Sequence, residues 1–118
     1  MGVEYILVNR TKAEKITFTH LNGSKKLELA GNAAQSSVVT WYLLNNQGNE
    51  IQFVSDTYND WPFSSGGREE VDGYNDVTDS IVSNLIDAHI LKDNGFLYQD
   101  ENEPKAVYIR DIVNIWTK

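Results

Sequence analysis

The chain has 118 residues and a mass of 13.4 kDa, with 10 Lys and Arg, 17 Asp and Glu, and no cysteine. This length fits one domain with a packed core and excludes two, and the lack of cysteine excludes a disulfide scaffold. No apolar run approaches the roughly 20 residues of a membrane-spanning helix. The net charge of −7 divides into +2 over residues 1–30 and −9 over residues 31–118. Because the acidic part repels nucleic-acid phosphates and anionic membranes, we expect neither as a partner.

The N-terminal quarter predicts a meander of three strands. Residues 3–9 are rich in Tyr, Ile, Leu and Val, which favours a strand, and residues 15–21 alternate apolar and polar side chains. The Asn-Gly pair at 22–23 suits the two central positions of a type I′ turn, where both φ angles are positive. A two-residue hairpin there places Phe18 opposite Leu27, so that apolar side chains pair across the second and third strands.

Two amphipathic helices and a short strand follow. Asn32 is a favourable N-cap for a helix over residues 33–44, in which apolar side chains recur at helical spacing. A strand is expected over residues 51–54. The second helix begins near Asp76, whose carboxylate suits the free amides of a first turn. Its inner stripe follows the same helical spacing and consists of Val77, Ile81, Leu85 and Ala88, flanked by Val82 and Ile86.

The C-terminal part predicts two further strands, over residues 96–99 and 106–109, joined by an acidic solvated loop at 100–105. Residues 112–116 fit either an extension of the last strand or one helical turn. Together these elements predict a single α+β domain over residues 1–118. We expect a mostly antiparallel sheet of about five or six strands, with two helices packed on one face.

The segment at 56–76 has no periodicity and is longer than most loops in compact domains. It holds six acidic residues and one basic residue, a net charge of −5, together with four large aromatic side chains. Trp and Tyr are common anchors of protein interfaces, and acidic neighbours favour a cationic surface. The sequence therefore predicts a partner-binding site with Trp61 and Phe63 as anchors. The complete predicted site is Tyr58, Trp61, Phe63, Tyr74, Asp56, Asp60, Glu69, Glu70 and Asp72.

Residues that could support catalysis or metal binding form no recognisable set. A cysteine nucleophile is impossible, and residues 64–67 lack the strand-to-helix context of a catalytic serine and the lysine of a phosphate-binding loop. His20 and His89 have no second ligand at metal-binding spacing, and the acidic clusters do not follow the ligand order of a calcium loop. We therefore expect no catalytic residue, no metal ion and no cofactor.

These features favour a non-catalytic, cytoplasmic interaction module that binds a basic protein partner. In composition the chain is similar to the small, acidic α+β proteins that neutralise bacterial toxins, although no motif is shared. That likeness implies a toxin-neutralising (immunity) or inhibitor function. The N-terminal residues lack the basic region and long apolar stretch of a secretory signal, which favours the cytoplasm. The sequence specifies neither the partner nor the oligomeric state.

Two alternatives remain open. In the first, residues 61–63 cap the edge of the core and residues 64–72 form a solvated tip without a partner. In the second, the aromatic side chains and carboxylates form a cleft for a small ligand or a carbohydrate, and the domain handles that ligand, including as an enzyme. A cleft that joins Tyr58, Trp61 and Tyr74 to two carboxylates would favour the second alternative.

Overall fold

The structure is a computed structural model that describes residues 3–57 and 61–116. The elements in chain order are β1 (Tyr5–Asn9), β2 (Glu14–Ile16), α1 (Lys26–Gly31), α2 (Ala33–Asn45), β3 (Ile51–Ser55), a 3₁₀ helix (Arg68–Gly73), β4 (Asn75–Asp76), α3 (Thr78–Asp87), β5 (Leu91–Gln99) and β6 (Tyr108–Asn114). The α+β class is confirmed. Within the described residues, six strands divide between a four-stranded mixed sheet and a two-stranded antiparallel ribbon.

The four-stranded sheet has the order β3-β1-β2-β4, so β1 lies inside it. β1 is antiparallel to β2 and to β3, whereas β2 and β4 are parallel. Successive side chains of a strand point to opposite faces. Leu7 therefore belongs to one face of the sheet and Val8 to the other, and both are fully buried. A strand that is buried on both faces requires a covering layer on each.

Helices α2 and α3 cover the Leu7 face of the sheet. The buried apolar side chains between sheet and helices are Leu7, Ile16, Phe18, Leu21, Leu29, Ala34, Val38, Tyr42, Val82, Leu85 and Leu91. Polar groups within this core are paired: Asn9 Nδ2 donates to the Tyr42 hydroxyl (2.9 Å), which donates to Glu14 Oε1 (2.7 Å). Burial, together with the Glu14 carboxylate, raises the pKa of Tyr42 above its ordinary range.

The predicted hairpin at 22–23 is wrong. β2 ends at Ile16, and the chain after the turn forms α1 instead of a third strand. Leu27, expected to face Phe18, is 83% exposed, whereas Leu29 is buried in the core. Two physical reasons account for the difference. The Lys-Leu-Glu-Leu-Ala run consists of strong helix formers, and β4 pairs with β2 on the edge that the third strand was expected to occupy.

The other predicted elements are present, with shifted bounds. The strand expected at 96–99 begins at Leu91, and the strand expected at 106–109 begins at Tyr108. α2 and β3 lie where they were expected, and α3 begins at Thr78, whose amide donates to Asp76 Oδ1 (3.0 Å). The buried side of α3 centres on Val82 and Leu85, so the stripe is rotated from the predicted one. β6 continues to Asn114, so residues 112–114 extend the last strand and do not form a helical turn.

Among the described residues, no helix has the length and apolar character that crossing a bilayer requires.

Arg110 is one of the residues that attach the ribbon of β5 and β6 to the body, beside Leu91, which is buried in the core. Its guanidinium pairs with Asp79 on α3 (2.9 Å) and with Asp93 on β5 (3.0 Å). Its amide donates to the carbonyl of His20 (2.8 Å), and the imidazole of His20 stacks on the ring of Tyr108 at 3.8 Å. The far part of the ribbon carries exposed apolar side chains, namely Phe96, Leu97, Tyr98 and Val107.

We expect Leu29→Ala and Leu27→Ala to distinguish α1 from the hairpin. Leu29→Ala removes a buried side chain and should lower the free energy of unfolding by about 2–4 kcal/mol. Leu27→Ala changes an exposed position and should alter it by no more than about 0.5 kcal/mol. Urea unfolding followed by circular dichroism measures both. Equal losses for the two variants would contradict the placement of α1.

Candidate functional site

The 56–76 segment covers the second face of the sheet. Phe63 and Val71 from this segment are buried against Val8 and Val54 from β1 and β3. Trp61 packs on the same cluster and is partly exposed. Burial of each large apolar side chain contributes about 1.5–3 kcal/mol, which holds the segment on the sheet. The structure therefore agrees with the capping of the core edge by residues 61–63.

Residues 68–73 are a 3₁₀ helix instead of a solvated tip. Gly66, with a φ of 81°, adopts the left-handed conformation just before this helix. The carbonyl of Val71, near the helix end, accepts from the amide of Tyr74 (3.0 Å) and from Lys15 Nζ (3.2 Å). The amide of Asn75 then donates to the carbonyl of Ala13 (3.0 Å). These bonds tie the end of the segment to the edge of the sheet.

The aromatic side chains of the predicted site occupy different environments. The Trp61 ring lies 5.0 Å from that of Phe63, and its Nε1 donates to the carbonyl of Ser65 (2.8 Å). Phe63 is only 8% exposed. The Arg10 guanidinium lies over its ring, with Cζ 5.5 Å from the centroid of the Phe63 ring. Little of Phe63 is therefore accessible to a partner, whereas Trp61 retains an exposed part. Tyr58 lies outside the described residues.

Arg10 joins the 3₁₀ helix to the sheet. Its Nε donates to Glu70 Oε1 (2.6 Å), and its Nη1 lies 3.0 Å from Glu50 Oε1. The Tyr74 hydroxyl also donates to Glu70 Oε1 (2.8 Å). The hydrogen bond from Arg10 and the one from Tyr74 lower the pKa of Glu70 below its ordinary value. Glu70 and Tyr74 of the predicted site are thus engaged inside the domain.

The other acidic residues of the predicted site are more accessible. Glu69 and Asp72 are exposed, and neither has a hydrogen-bond or ion-pair partner within residues 3–57 and 61–116. Asp56 is exposed as well, and its Oδ1 accepts a hydrogen bond from the amide of Glu4 (3.2 Å). Asp60 lies outside the described residues. Among the described acids of the predicted site, Glu69 and Asp72 are therefore the ones that are exposed and have no hydrogen-bond or ion-pair partner.

A cavity of about 640 Å³ lies between this segment and the sheet. Its apolar lining residues are Ile6, Val54, Trp61 and Val71. Glu69 and Asp72 supply two carboxylates to its wall. Arg68 also lines it, but Arg68 Nη1 donates to the carbonyls of Ser55 (2.6 Å) and Thr57 (3.0 Å). The cavity thus combines an apolar floor, one indole ring and a net negative rim.

Arg10 is a residue of this site that the sequence pattern did not indicate, as are the strand residues Ile6 and Val54 that line the cavity. Its two carboxylate partners are 40 and 60 positions away, and no local signal connects them. Within the described parts of the chain, no three His, Asp or Glu side chains are grouped as for a metal ion. No family model, curated protein or solved structure matches the chain. The functional interpretation of the chain is therefore based on the geometry of this site.

Arg10→Gln should make the stability of the domain less dependent on pH. Because the pKa of Glu70 is lower in the folded protein than its ordinary value of 4.5, the ion pair stabilises the fold above that value. This stabilisation is lost as the pH falls through the lower, folded pKa. The stability difference between wild type and Arg10→Gln should therefore be larger at about pH 7 than at about pH 3.

Urea unfolding at the two pH values measures this difference. Glu69→Gln is the matched control, because it removes a carboxylate from the same 3₁₀ helix and leaves the Arg10–Glu70 pair intact. A difference between wild type and Arg10→Gln that is the same at both pH values would contradict the stabilising contribution of the pair.

Proposed function

We propose that the protein is a non-catalytic interaction module that binds a basic surface of another protein through the cavity beside the 3₁₀ helix. The observation that carries the proposal is the position of Glu69 and Asp72. Both carboxylates are exposed, lack a cation partner among the described residues, and line the cavity that also contains the Trp61 indole.

The lining of the cavity suits a long cationic side chain. The aliphatic part of a lysine or arginine can pack against Ile6, Val54 and Val71, while its charged end reaches the acidic rim. The partly exposed indole of Trp61 adds a cation–π contact for such a group. A partner arginine that pairs with Glu69 or Asp72 forms charge-assisted hydrogen bonds, which are stronger than neutral ones.

The attachment of the 3₁₀ helix supports recognition because it fixes the backbone that carries Glu69 and Asp72 before a partner arrives. Val71 is buried, and Glu70 between the two free acids is held by Arg10 and Tyr74. A preorganised site loses less conformational freedom on binding than a mobile loop does. The net charge of −7 also favours the approach of a basic partner and repels polyanions.

A toxin-neutralising or inhibitor function is the most specific form of this proposal. It is supported by the small acidic α+β character of the chain, in which one exposed surface combines carboxylates with an aromatic ring. Such a protein would act in the cytoplasm on a basic effector. Its partner-binding residues would be Trp61, Glu69 and Asp72, with Asp56 near the edge and Phe63 supporting Trp61 from below.

Carbohydrate or small-ligand binding is the second candidate. The concave shape of the cavity favours it, because an indole ring and two carboxylates there could stack on and hydrogen-bond a sugar ring. Tyr74 is not among the residues that line this cavity. Binding of a neutral sugar would depend little on salt, whereas binding of a basic protein would depend on it strongly.

Removal of the free carboxylates should slow association with the partner. A protein captured from a lysate of the source cells by the immobilised wild type would be purified, and its binding kinetics measured by surface plasmon resonance. The double variant Glu69→Gln/Asp72→Asn should lower the on-rate by roughly two- to tenfold at low salt, with a smaller effect at high salt. The matched control is Glu101→Gln/Glu103→Gln, which removes two charges from the loop at 100–105. Equal effects of the two double variants would contradict this site.

Trp61→Ala should act on the off-rate instead. Loss of an interface tryptophan commonly costs more than about 1 kcal/mol of binding, so dissociation should accelerate by about fivefold or more. Because Trp61 also packs on Phe63, thermal unfolding of the variant must be compared with that of wild type. Trp61→Phe retains a ring and should recover part of the affinity. The proposal would be contradicted if the affinity for the partner were unchanged by Trp61→Ala, by the acidic double variant and by salt.

A further inference from the structure

An apolar groove of about 400 Å³ lies on the opposite side of the sheet, between β3, α1 and α2. Its lining residues come from β1, β3 and the two helices and are Tyr5, Lys26, Leu29, Ala30, Ser36, Val39, Thr40 and Phe53. None of them belongs to the 56–76 segment. The volume lies within the range of about 300–1,000 Å³ that is typical of sites for small ligands.

The groove exists because the helices leave the edge of the sheet uncovered. β3 is an edge strand, and α1 has only six residues, so the apolar side chains beside them are not closed over. Phe53 is 37% exposed, and its ring meets that of Tyr5 edge-on with centroids 6.2 Å apart. Leu29 is buried behind these rings, and Val39 is partly buried. The walls are thus supported by packing within the monomer and do not require a partner to form.

Among the described residues, Lys26 is the one charged residue that lines the groove. It is exposed, and no carboxylate pairs with it within residues 3–57 and 61–116. It also belongs to residues 1–30, which carry a net charge of +2 in a chain whose total is −7. The polar atoms on the α2 wall are the hydroxyls of Ser36 and Thr40, which either donate or accept hydrogen bonds. A ligand that matches this lining has an apolar body and an anionic end.

We propose that this groove binds a small alkyl carboxylate, with the alkyl chain along Val39 and Phe53 and the carboxylate beside Lys26. A second copy of the chain matches the groove less well, because two copies would bring their net negative charges together. A basic or neutral apolar peptide would leave Lys26 without a complementary group. The proposal concerns a different face from the interaction site above, so the failure of one leaves the other intact.

Titration with octanoate tests the proposal, followed by ¹H–¹⁵N NMR on the full chain. Octanoate should give saturable shifts at the residues that line the groove, and octanol of the same chain length should bind about three- to fivefold more weakly, as expected for the loss of one exposed ion pair. Lys26→Gln should weaken octanoate binding by the same factor and leave octanol binding unchanged. Lys105→Gln is the matched control, which removes an equal charge from a distant loop and should change neither.

Ala30→Trp fills the groove from the exposed surface of α1 and should abolish the saturable shifts. If this variant does not fold, the proposal is still tested by comparing the affinities of wild type and Lys26→Gln for octanoate and for octanol. The proposal is overturned by an absence of saturable shifts in wild type, by shifts that map outside the groove, or by a folded Ala30→Trp variant that binds octanoate as wild type does. An equal effect of Lys26→Gln on octanoate and octanol binding overturns the part concerning the carboxylate.

Discussion

The structure depends on the burial of β1 on both of its faces. Leu7 and Val8 are adjacent, point in opposite directions and are both almost inaccessible to water. The two helices that pack on Leu7 cannot also cover Val8, so another part of the chain has to do so. This constraint explains why a long aperiodic segment carries aromatic and aliphatic side chains among its acids: Phe63 and Val71 form the second covering layer. Two acids of the same segment, Glu69 and Asp72, then line the cavity that remains between this layer and the sheet.

Local patterns in the sequence were sufficient where burial is one-sided and the partners are close in the chain. The spacing of Val38 and Tyr42 predicted α2. Two apolar runs with an acidic loop between them predicted the far half of the C-terminal ribbon, although not residues 91–95 of β5. The same reasoning failed at Asn22 and Gly23. After this turn, Leu27 and Leu29 are two positions apart, which fits a strand. The residues at 26–30 nevertheless have a strong preference for helix, and they form α1.

Contacts between distant positions could not be predicted from the sequence. β4 has two residues and no apolar signal, yet its pairing with β2 occupies the sheet edge that the predicted hairpin required. The sequence also does not reveal which acidic residues form ion pairs within the domain. Glu69 and Glu70 are neighbours of equal charge, but only Glu70 reaches Arg10, because the 3₁₀ helix turns the two side chains in different directions. Which carboxylates remain free for a partner is therefore a property of the tertiary structure.

The strand alternation that buries β1 also assigns the two proposed sites to opposite faces of one strand pair. In the β1–β3 register, Ile6 is opposite Val54, and both line the cavity with the acidic rim. Tyr5 and Phe53 belong to the other face and line the groove that contains Lys26. A slip of β3 by one residue would move Val54 to the groove face and Phe53 to the cavity face, which would change the lining of both sites at once. The strand residues that line the two proposed sites are thus set by a single register, which the buried side chains on both faces fix.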